Sequence, residues 1–470
     1  MAKSYTMDLT QGSVTKNLII FALPILFTNI LQQLYQSADM VVVGRFAADG
    51  EASLAAVGST GSITTLMLNI FLGLSVGANI ICAKYFGARE GEKLKKTMET
   101  ALIVAAVAGV AVGIIGVLLS RTLLFRFMQV PEEILDEATL YMQIIFLGQP
   151  GSLVYNFGAG ILRAHGDTRR PMWILAISGI ANVLFNLLFV AVFHWDAAGV
   201  AVATIIANYL SAALVLLVLF HREGEYGLRF KELRFHSAAF REICRIGIPC
   251  GFNGIVFSLS NVIISGAINS MGKLIIAANS AAFNIDALLF MIISAFYNAV
   301  TSFAGQNFGA RDFGRIKSLF WKGILVLNAV LLVGSTLVNL FPEFFLGLFT
   351  EEAEVIAAAM PRIRMIAGTY FLYTVAEIAV GCLRGLGQST GPTVLNIFCI
   401  CVPRIVWVLF VLPFNNTYSF LMICYPISWV LCSVVQTVNF YLCHRREEKK
   451  YLAGLQTSSA DGEPVPADAR

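Results

Sequence analysis

Charge is what this sequence has least of. Only 13% of its 470 residues are Asp, Glu, Lys or Arg, against roughly 25% in ordinary soluble domains, which excludes a water-soluble globular enzyme. Metal or redox spacing is missing as well. The nine cysteines (Cys82, Cys244, Cys250, Cys382, Cys399, Cys401, Cys424, Cys432, Cys443) fall mostly inside apolar stretches, where they read as packing residues. No phosphate-binding loop is present: in the nearest match, Gly266 to Lys273, five residues separate the glycines and no Ser or Thr follows the lysine. No span carries arginines at three-residue intervals, no selectivity-filter sequence occurs and no catalytic constellation stands out, so voltage sensing, filter-type conduction, enzyme activity and a bound cofactor are not expected. A net charge of +4 is too small to imply a nucleic-acid partner. The segment Met1 to Thr15 lacks the charged start, apolar core and cleavage site of a signal peptide, so the first span is expected to be retained.

What is present is apolar length. Apolar residues make up 57% of the chain, 35 residues are Phe, and the mean hydropathy is +0.75. Breaks at charged or Pro/Gly-rich points leave twelve apolar segments, near 17–45, 52–82, 97–120, 134–157, 171–193, 197–220, 243–270, 275–305, 318–341, 361–383, 393–413 and 417–443. The fold class is therefore an all-α integral membrane protein of twelve transmembrane helices. Of the 33 basic residues, 26 lie on one alternate set of connections and the termini, six on the other set, and Arg404 sits inside a span. The positive-inside rule then places both termini in the cytoplasm of a cell with the chain in its inner (cytoplasmic) membrane. The expected organisation is a cytoplasmic N-terminus (1–16), a first six-helix bundle (17–221), a cytoplasmic linker (222–242), a second six-helix bundle (243–444) and a disordered cytoplasmic tail (445–470).

The two bundles are related. Phe86-Gly87-Ala88-Arg89 recurs as Phe308-Gly309-Ala310-Arg311, and Gly-x-Leu-Arg-x-x-Gly-x4-Pro occurs from Gly160 to Pro171 and again from Gly381 to Pro392. Ala22-Leu23-Pro24 near the start of one half matches Gly247-Ile248-Pro249 near the start of the other. Three ordered matches at almost one offset indicate a duplication. Because each half has an even number of spans, the repeats are parallel, with the site expected between or within the two bundles. The arginines of these motifs read as topology anchors and loop braces.

Ionisable groups within a span are costly and suggest function; those singled out are Asp39, Glu377 and Arg404. Asp39 ends a polar stripe with Asn29, Gln32, Gln33 and Gln36, whose spacing confines them to about a third of the helix circumference. Helix rise puts Asp39 roughly 10 Å below the outer end of its span, in the layer reached by Asn182, Asn186 and Thr204 from spans five and six. One carboxylate, two amides and a hydroxyl suit a proton or a hard cation such as Na+, the latter at Asp39, Asn182 and Thr204. The same count in the second half finds Ile264, Pro403 and Trp407, so that half is expected to have lost the site, with Glu377 and Arg404 as its only buried charges and as candidates to pair with each other.

These residues together, with Gly12 and Val43-Gly44, resemble the MATE family of multidrug and toxic-compound extrusion transporters over roughly residues 10 to 445, most closely the bacterial branch with the MepA-type exporters. The resemblance implies two parallel-repeat six-helix bundles and an antiporter that exports organic, often cationic and aromatic, compounds in exchange for H+ or Na+. It maps the family's first-span aspartate onto Asp39, its fifth-span asparagine onto Asn182 and its sixth-span threonine onto Thr204. The fifth-span aspartate of some members is Asn186 here, and the second-bundle acids of NorM-type members fall near Phe257 or Ser258 and at Tyr373, with Glu377 one turn on as a substitute. A substrate cavity between the bundles would be lined by Tyr35, Gln36, Tyr373, Glu377 and Arg404. The expected partners are small organic substrates and the lipid bilayer, and a functional monomer is expected. Two rivals stay open: a lipid-linked precursor flippase of the same superfamily, which would want a strongly basic cavity, and a non-transporting scaffold or channel, which would tolerate Asp39→Asn.

Overall fold

The structure, a computed structural model, describes residues 6–47, 50–221 and 227–460. Among these, eleven helical runs are each long and apolar enough to cross a bilayer. The twelfth crossing is made by two consecutive 16-residue helices, Glu132–Leu147 and Gln149–Ala164, each too short alone. They meet at Gly148, where Pro150 in the first turn of the second helix has no N–H to continue the ladder of the first. In chain order the spans are α1 (Val14–Phe46), α2 (Gly50–Gly87), α3 (Gly91–Thr122), α4 (the pair just given), α5 (Arg169–Asn186), α6 (Asp196–Phe220), α7 (Ser237–Asn269), α8 (Lys273–Gly309), α9 (Phe313–Leu340), α10 (Ala353–Gly385), α11 (Thr390–Phe414) and α12 (Cys424–Ala460). The first six form lobe one and the last six lobe two. Their outer faces carry exposed apolar residues such as Leu118, Ile180, Leu325 and Val434, a surface suited to lipid.

The repeated motifs turn out to be helix terminators. Arg89 and Arg311 both adopt left-handed φ, 56° and 61°, and in each turn the amide of the following residue reaches back into the helix, Glu90 N–H to Tyr85 O and Asp312 N–H to Asn307 O, both at 3.0 Å. The second motif ends α4 and α10 the same way, with Gly166 and Gly387 at φ 80° and 76°. Gly87 and Gly309 also let two helices touch. A Cβ at Gly87 would lie 1.9 Å from Gln306 O, and one at Gly309 would lie 1.9 Å from Lys84 O. This reciprocal backbone contact between α2 and α8 relates the lobes by a pseudo-two-fold axis, as parallel repeats require.

That contact closes the end of the molecule where α1 begins and α12 ends. On one flank, Gly73 and Gly77 of α2 lie against Gly251 and Gly247 of α7, so closely that a Cβ at Gly73 would sit 2.2 Å from Gly251 N. On the other, residues 7–12 form a strap across both lobes. Met7 N–H bonds Gly166 O of lobe one. Fully buried Leu9 bonds Gln306 and accepts from Asn307, and Arg315 donates to the carbonyls of Leu9, Gln11 and Gly12. Toward the opposite end the hydrogen bonds that join the lobes among the described residues reach only as far as Asn29 Nδ2 to Met291 O at 3.2 Å, and a Cβ added at Gly58, Gly61 or Gly266 beyond it would meet no atom within 4 Å.

Two boundaries differ from the sequence expectation. The segment expected as a linker, 222–242, already becomes α7 at Ser237, and it is pinned to lobe one by Lys95–Glu232 at 3.0 Å, His236 Nε2–Glu99 at 3.2 Å and Tyr85–Glu242 at 2.8 Å; 222–226 lie outside the described residues. The hydrogen bond from Lys95 holds the Glu232 carboxyl below the usual range. The segment 445–470, expected to be disordered, is helical to Ala460. Lys450–Glu447 at 2.7 Å and His444–Glu448 at 3.8 Å support that extension one turn apart; 461–470 lie outside the described residues, as do 1–5 of the expected N-terminus.

Candidate functional site: a carboxylate among amides in lobe one

The polar stripe on α1 faces two ways. Asn29 turns to α8, and Gln32 and Gln36, on its helix face, are exposed. Asp39, rotated off that face, points into lobe one. There Asn186 Nδ2 donates to Asp39 Oδ1 at 2.5 Å, Thr204 Oγ1 contacts Oδ2 at 3.5 Å, Asn182 Nδ2 donates to Thr204 Oγ1 at 3.3 Å, and Asn186 Nδ2 also reaches Asn182 Oδ1 at 3.3 Å. The four residues that helix rise placed in one layer are thus in mutual contact. Asn182 and Asn186 are buried, and the Oδ1 of Asn186 is an acceptor with no hydrogen-bond partner. No cationic side chain forms an ion pair with Asp39 among the described residues. The cluster offers only oxygen acceptors and weak neutral donors around one carboxylate, which can take a proton or a small hard cation. No cluster of three His, Cys, Asp or Glu residues capable of holding a metal occurs among the described residues.

The residues expected to line a cavity between the bundles are dispersed. Tyr35 does not face lobe two: its hydroxyl donates to Leu175 O, and its ring fills the notch left by Gly179 of α5, inside lobe one. Gln36 lies on the α1 face turned toward lobe two. Tyr373, buried in lobe two, donates its hydroxyl to Glu377 Oε1 at 2.6 Å and packs against Trp429. Arg404 is buried in lobe two and does not pair with Glu377; its Nε donates to Ser428 Oγ at 3.2 Å, and its guanidinium lies 4.3 Å from the centre of the Tyr425 ring. Arg384, read as a loop brace, is buried and donates to the Tyr297 hydroxyl.

One buried charge pair is invisible to sequence reasoning. Asp286 of α8 and Arg362 of α10, both 4% exposed, meet at 2.6 Å. Arg362 also donates to Asn279 at 2.5 Å, which accepts from Tyr418 at 3.1 Å. Glu377 and Arg404 are therefore not the only buried charges of lobe two. The available signal is an isolated acid in the apolar run 275–305; its partner Arg362 stands at the very edge of the expected segment 361–383, where it reads as an end-of-span residue, whereas α10 begins at Ala353 and carries it nine residues inside the helix.

Known proteins of the same build agree with this architecture. The chain is 28% identical over 407 residues to the probable multidrug resistance protein YoeA of Bacillus subtilis, covering 84% of this chain and 86% of that protein. It is 26% identical to the probable multidrug resistance protein NorM of Thermotoga maritima, covering 86% and 87%. Among solved structures, a MOP superfamily transporter from Pyrococcus furiosus superposes with a TM-score of 0.86 at 22% identity, covering 95% of this chain and 99% of that one, and an outward-facing MATE family transporter superposes with 0.85. The MatE family model matches residues 24–188 and 249–409, one stretch in each lobe. With its twelve spans and two parallel lobes, the chain belongs to the MatE family, a family of multi-pass membrane transporters rather than enzymes.

Proposed function

We propose that the protein is a secondary antiporter of the cytoplasmic membrane, with both termini inside, that exports organic, cationic and aromatic compounds in exchange for H+ or Na+ by alternating access, and that it works as a monomer. The observation that carries this reading is Asp39, a carboxylate held inside the membrane by two amides and a hydroxyl with no cation to neutralise it. A charge so placed is costly unless a proton or a metal cation joins it. The unused Asn186 Oδ1 beside it supports this, because a protonated Asp39 or a bound Na+ would meet an acceptor already in place. Alternating access is supported by lobes that are tied together by the strap and the α2–α8 contact at one end and share no hydrogen bond beyond Asn29–Met291 among the described residues, with Asp39 ten residues further along α1. Neutralising Asp39 would remove the electrostatic difference between ion-free and ion-bound states, the difference by which an ion selects one conformation. The drug-resistance names of the relatives YoeA and NorM support the substrate class.

The test is dye movement in vesicles reconstituted with wild type or Asp39→Asn, with a proton gradient and a sodium gradient imposed separately. Wild type is expected to move a fluorescent cationic dye under one of the two gradients, and Asp39→Asn to lose that movement. Full activity in the mutant would remove Asp39 from the coupling role, and no movement under either gradient would overturn the antiporter reading.

A further inference from the structure

The first half of α7 is packed on two sides. Gly247 and Gly251 receive the backbone of α2, where an added Cβ would lie 2.6 Å from Leu74 Cα and 2.5 Å from Ile70 Cα. Ser389 and Thr393, at the start of α11, donate to the carbonyls of Ile246 and Pro249 at 2.9 and 3.2 Å. The side left over carries Arg241, Arg245, Ile248, Phe252 and Leu259, all exposed and spaced at helical intervals along one stripe. Its apolar part, 51% exposed at Ile248 and 58% at Leu259, is a surface for acyl chains. The two arginines end that surface: Arg245 precedes Ile248 by about 4.5 Å of helix rise and Arg241 precedes Arg245 by about 6 Å. Helical side chains lean toward the N-terminus, so both guanidinia reach the headgroup layer while their stems stay against lipid.

Nothing in the protein neutralises this pair. Neither arginine forms an ion pair among the described residues, and the acids of the region are engaged elsewhere, Glu242 by Tyr85, Glu99 by His236, and Glu232 by Lys95 and Arg229. Exposed Arg234 adds a third cation just before the helix, and Phe235, 52% exposed, leans on Phe240 beside it, an aromatic side chain suited to the membrane interface. The basic end of α12 on the same side is different, because Arg445 and Arg446 are followed directly by Glu447 and Glu448. Two guanidinia one helical turn apart, above an apolar stripe, match a phosphate carried on a diacyl chain. We propose that Arg241 and Arg245 form a binding site for an anionic phospholipid of the leaflet on the side where α1 begins. The occupant is a lipid and not free phosphate, because Ile248 and Phe252 continue the site toward the bilayer centre. The site stands where the linker, pinned to lobe one, becomes the first span of lobe two, so a bound lipid sits at the joint between the lobes.

The inference goes beyond the antiport reading and does not depend on it. In its test, the purified full-length protein in detergent is titrated with phosphatidylglycerol or with phosphatidylcholine of the same acyl chains, and bound lipid is counted by native mass spectrometry. Wild type is expected to hold one phosphatidylglycerol with a Kd about tenfold below that of phosphatidylcholine. The double variant Arg241→Gln, Arg245→Gln should bind the two lipids equally, with an unchanged unfolding midpoint as the proof of folding. The pair Arg241→Lys, Arg245→Lys should keep part of the preference, and Arg229→Gln, Lys231→Gln, the same charge change earlier in the linker, should keep all of it. Equal binding of the two lipids by wild type, or a preference that survives Arg241→Gln, Arg245→Gln, would overturn the proposal. A loss just as large in Arg229→Gln, Lys231→Gln would overturn it too, by showing that net charge and not this site holds the lipid. Displacement of phosphatidylglycerol by equimolar inorganic phosphate would overturn the lipid assignment.

Discussion

The two lobes share their ends and differ in their interiors. Both close their second span with a left-handed arginine and their fourth with a left-handed glycine, and the backbone around Gly87 and Gly309 is interchangeable about the pseudo-axis. Inside, lobe one sets a carboxylate among neutral amides and a hydroxyl in the layer of Asp39, whereas lobe two holds the Asp286–Arg362 pair and buried Arg384 and Arg404, bonded to the hydroxyls of Tyr297 and Ser428. The terminators answer to backbone geometry, which is identical in two copies that meet each other. The interiors answer only to burial, and several polar solutions satisfy it. A duplicated bundle can therefore retain its shape while its two cores acquire different polar groups.

The strongest way to break the comparison is Asp39→Asn, expected to abolish gradient-driven exchange while shifting unfolding stability by less than about 1 kcal/mol, since an amide can still bond Asn186 and Thr204. Parallel transport and unfolding measurements check this. Asp286 and Arg362 of lobe two are matched to each other, so the loss should appear in stability instead. Asp286→Ala strands Arg362 and should destabilise the purified protein by about 3–5 kcal/mol, while the double replacement Asp286→Leu, Arg362→Met should recover most of it; denaturant or thermal unfolding of the three variants gives the answer. Gly309→Ala tests the shared end. In an ordinary helix that change stabilises, but here the methyl meets Lys84 O, and a loss of about 1–3 kcal/mol with faster amide exchange at the adjoining ends of α2 and α8 is expected. The smallest effect belongs to Thr204→Val, whose longer contact to Asp39 predicts about a three- to tenfold weaker coupling-ion dependence, equivalent to about 0.5–1.5 kcal/mol.

The twelve spans, the parallel duplication and the layer shared by Asp39, Asn182, Asn186 and Thr204 are legible because they depend on quantities that a sequence carries directly: apolar run length, even span count and a fixed rise per residue. The partners of Asp286 and Tyr35 are not. Asp286 finds Arg362 on a span 76 residues away, and no local pattern announces it. Tyr35 turns inward because Gly179 leaves space for its ring, a property of a neighbouring helix.

The strap before α1 sets an energy scale for the resting population. Six hydrogen bonds, one donated by Leu9 N–H to Gln306 and five donated to the strap by Asn307 and Arg315, hold it, and at about 0.5–1.5 kcal/mol net apiece they favour closure of that end by several kcal/mol. Inverting a two-state population from 1:99 to 99:1 takes about 5.5 kcal/mol of differential affinity. Whatever ligand opens that end must therefore discriminate between the two states by an amount comparable with the strap itself, and a chain without the strap would idle between states that the intact protein keeps apart.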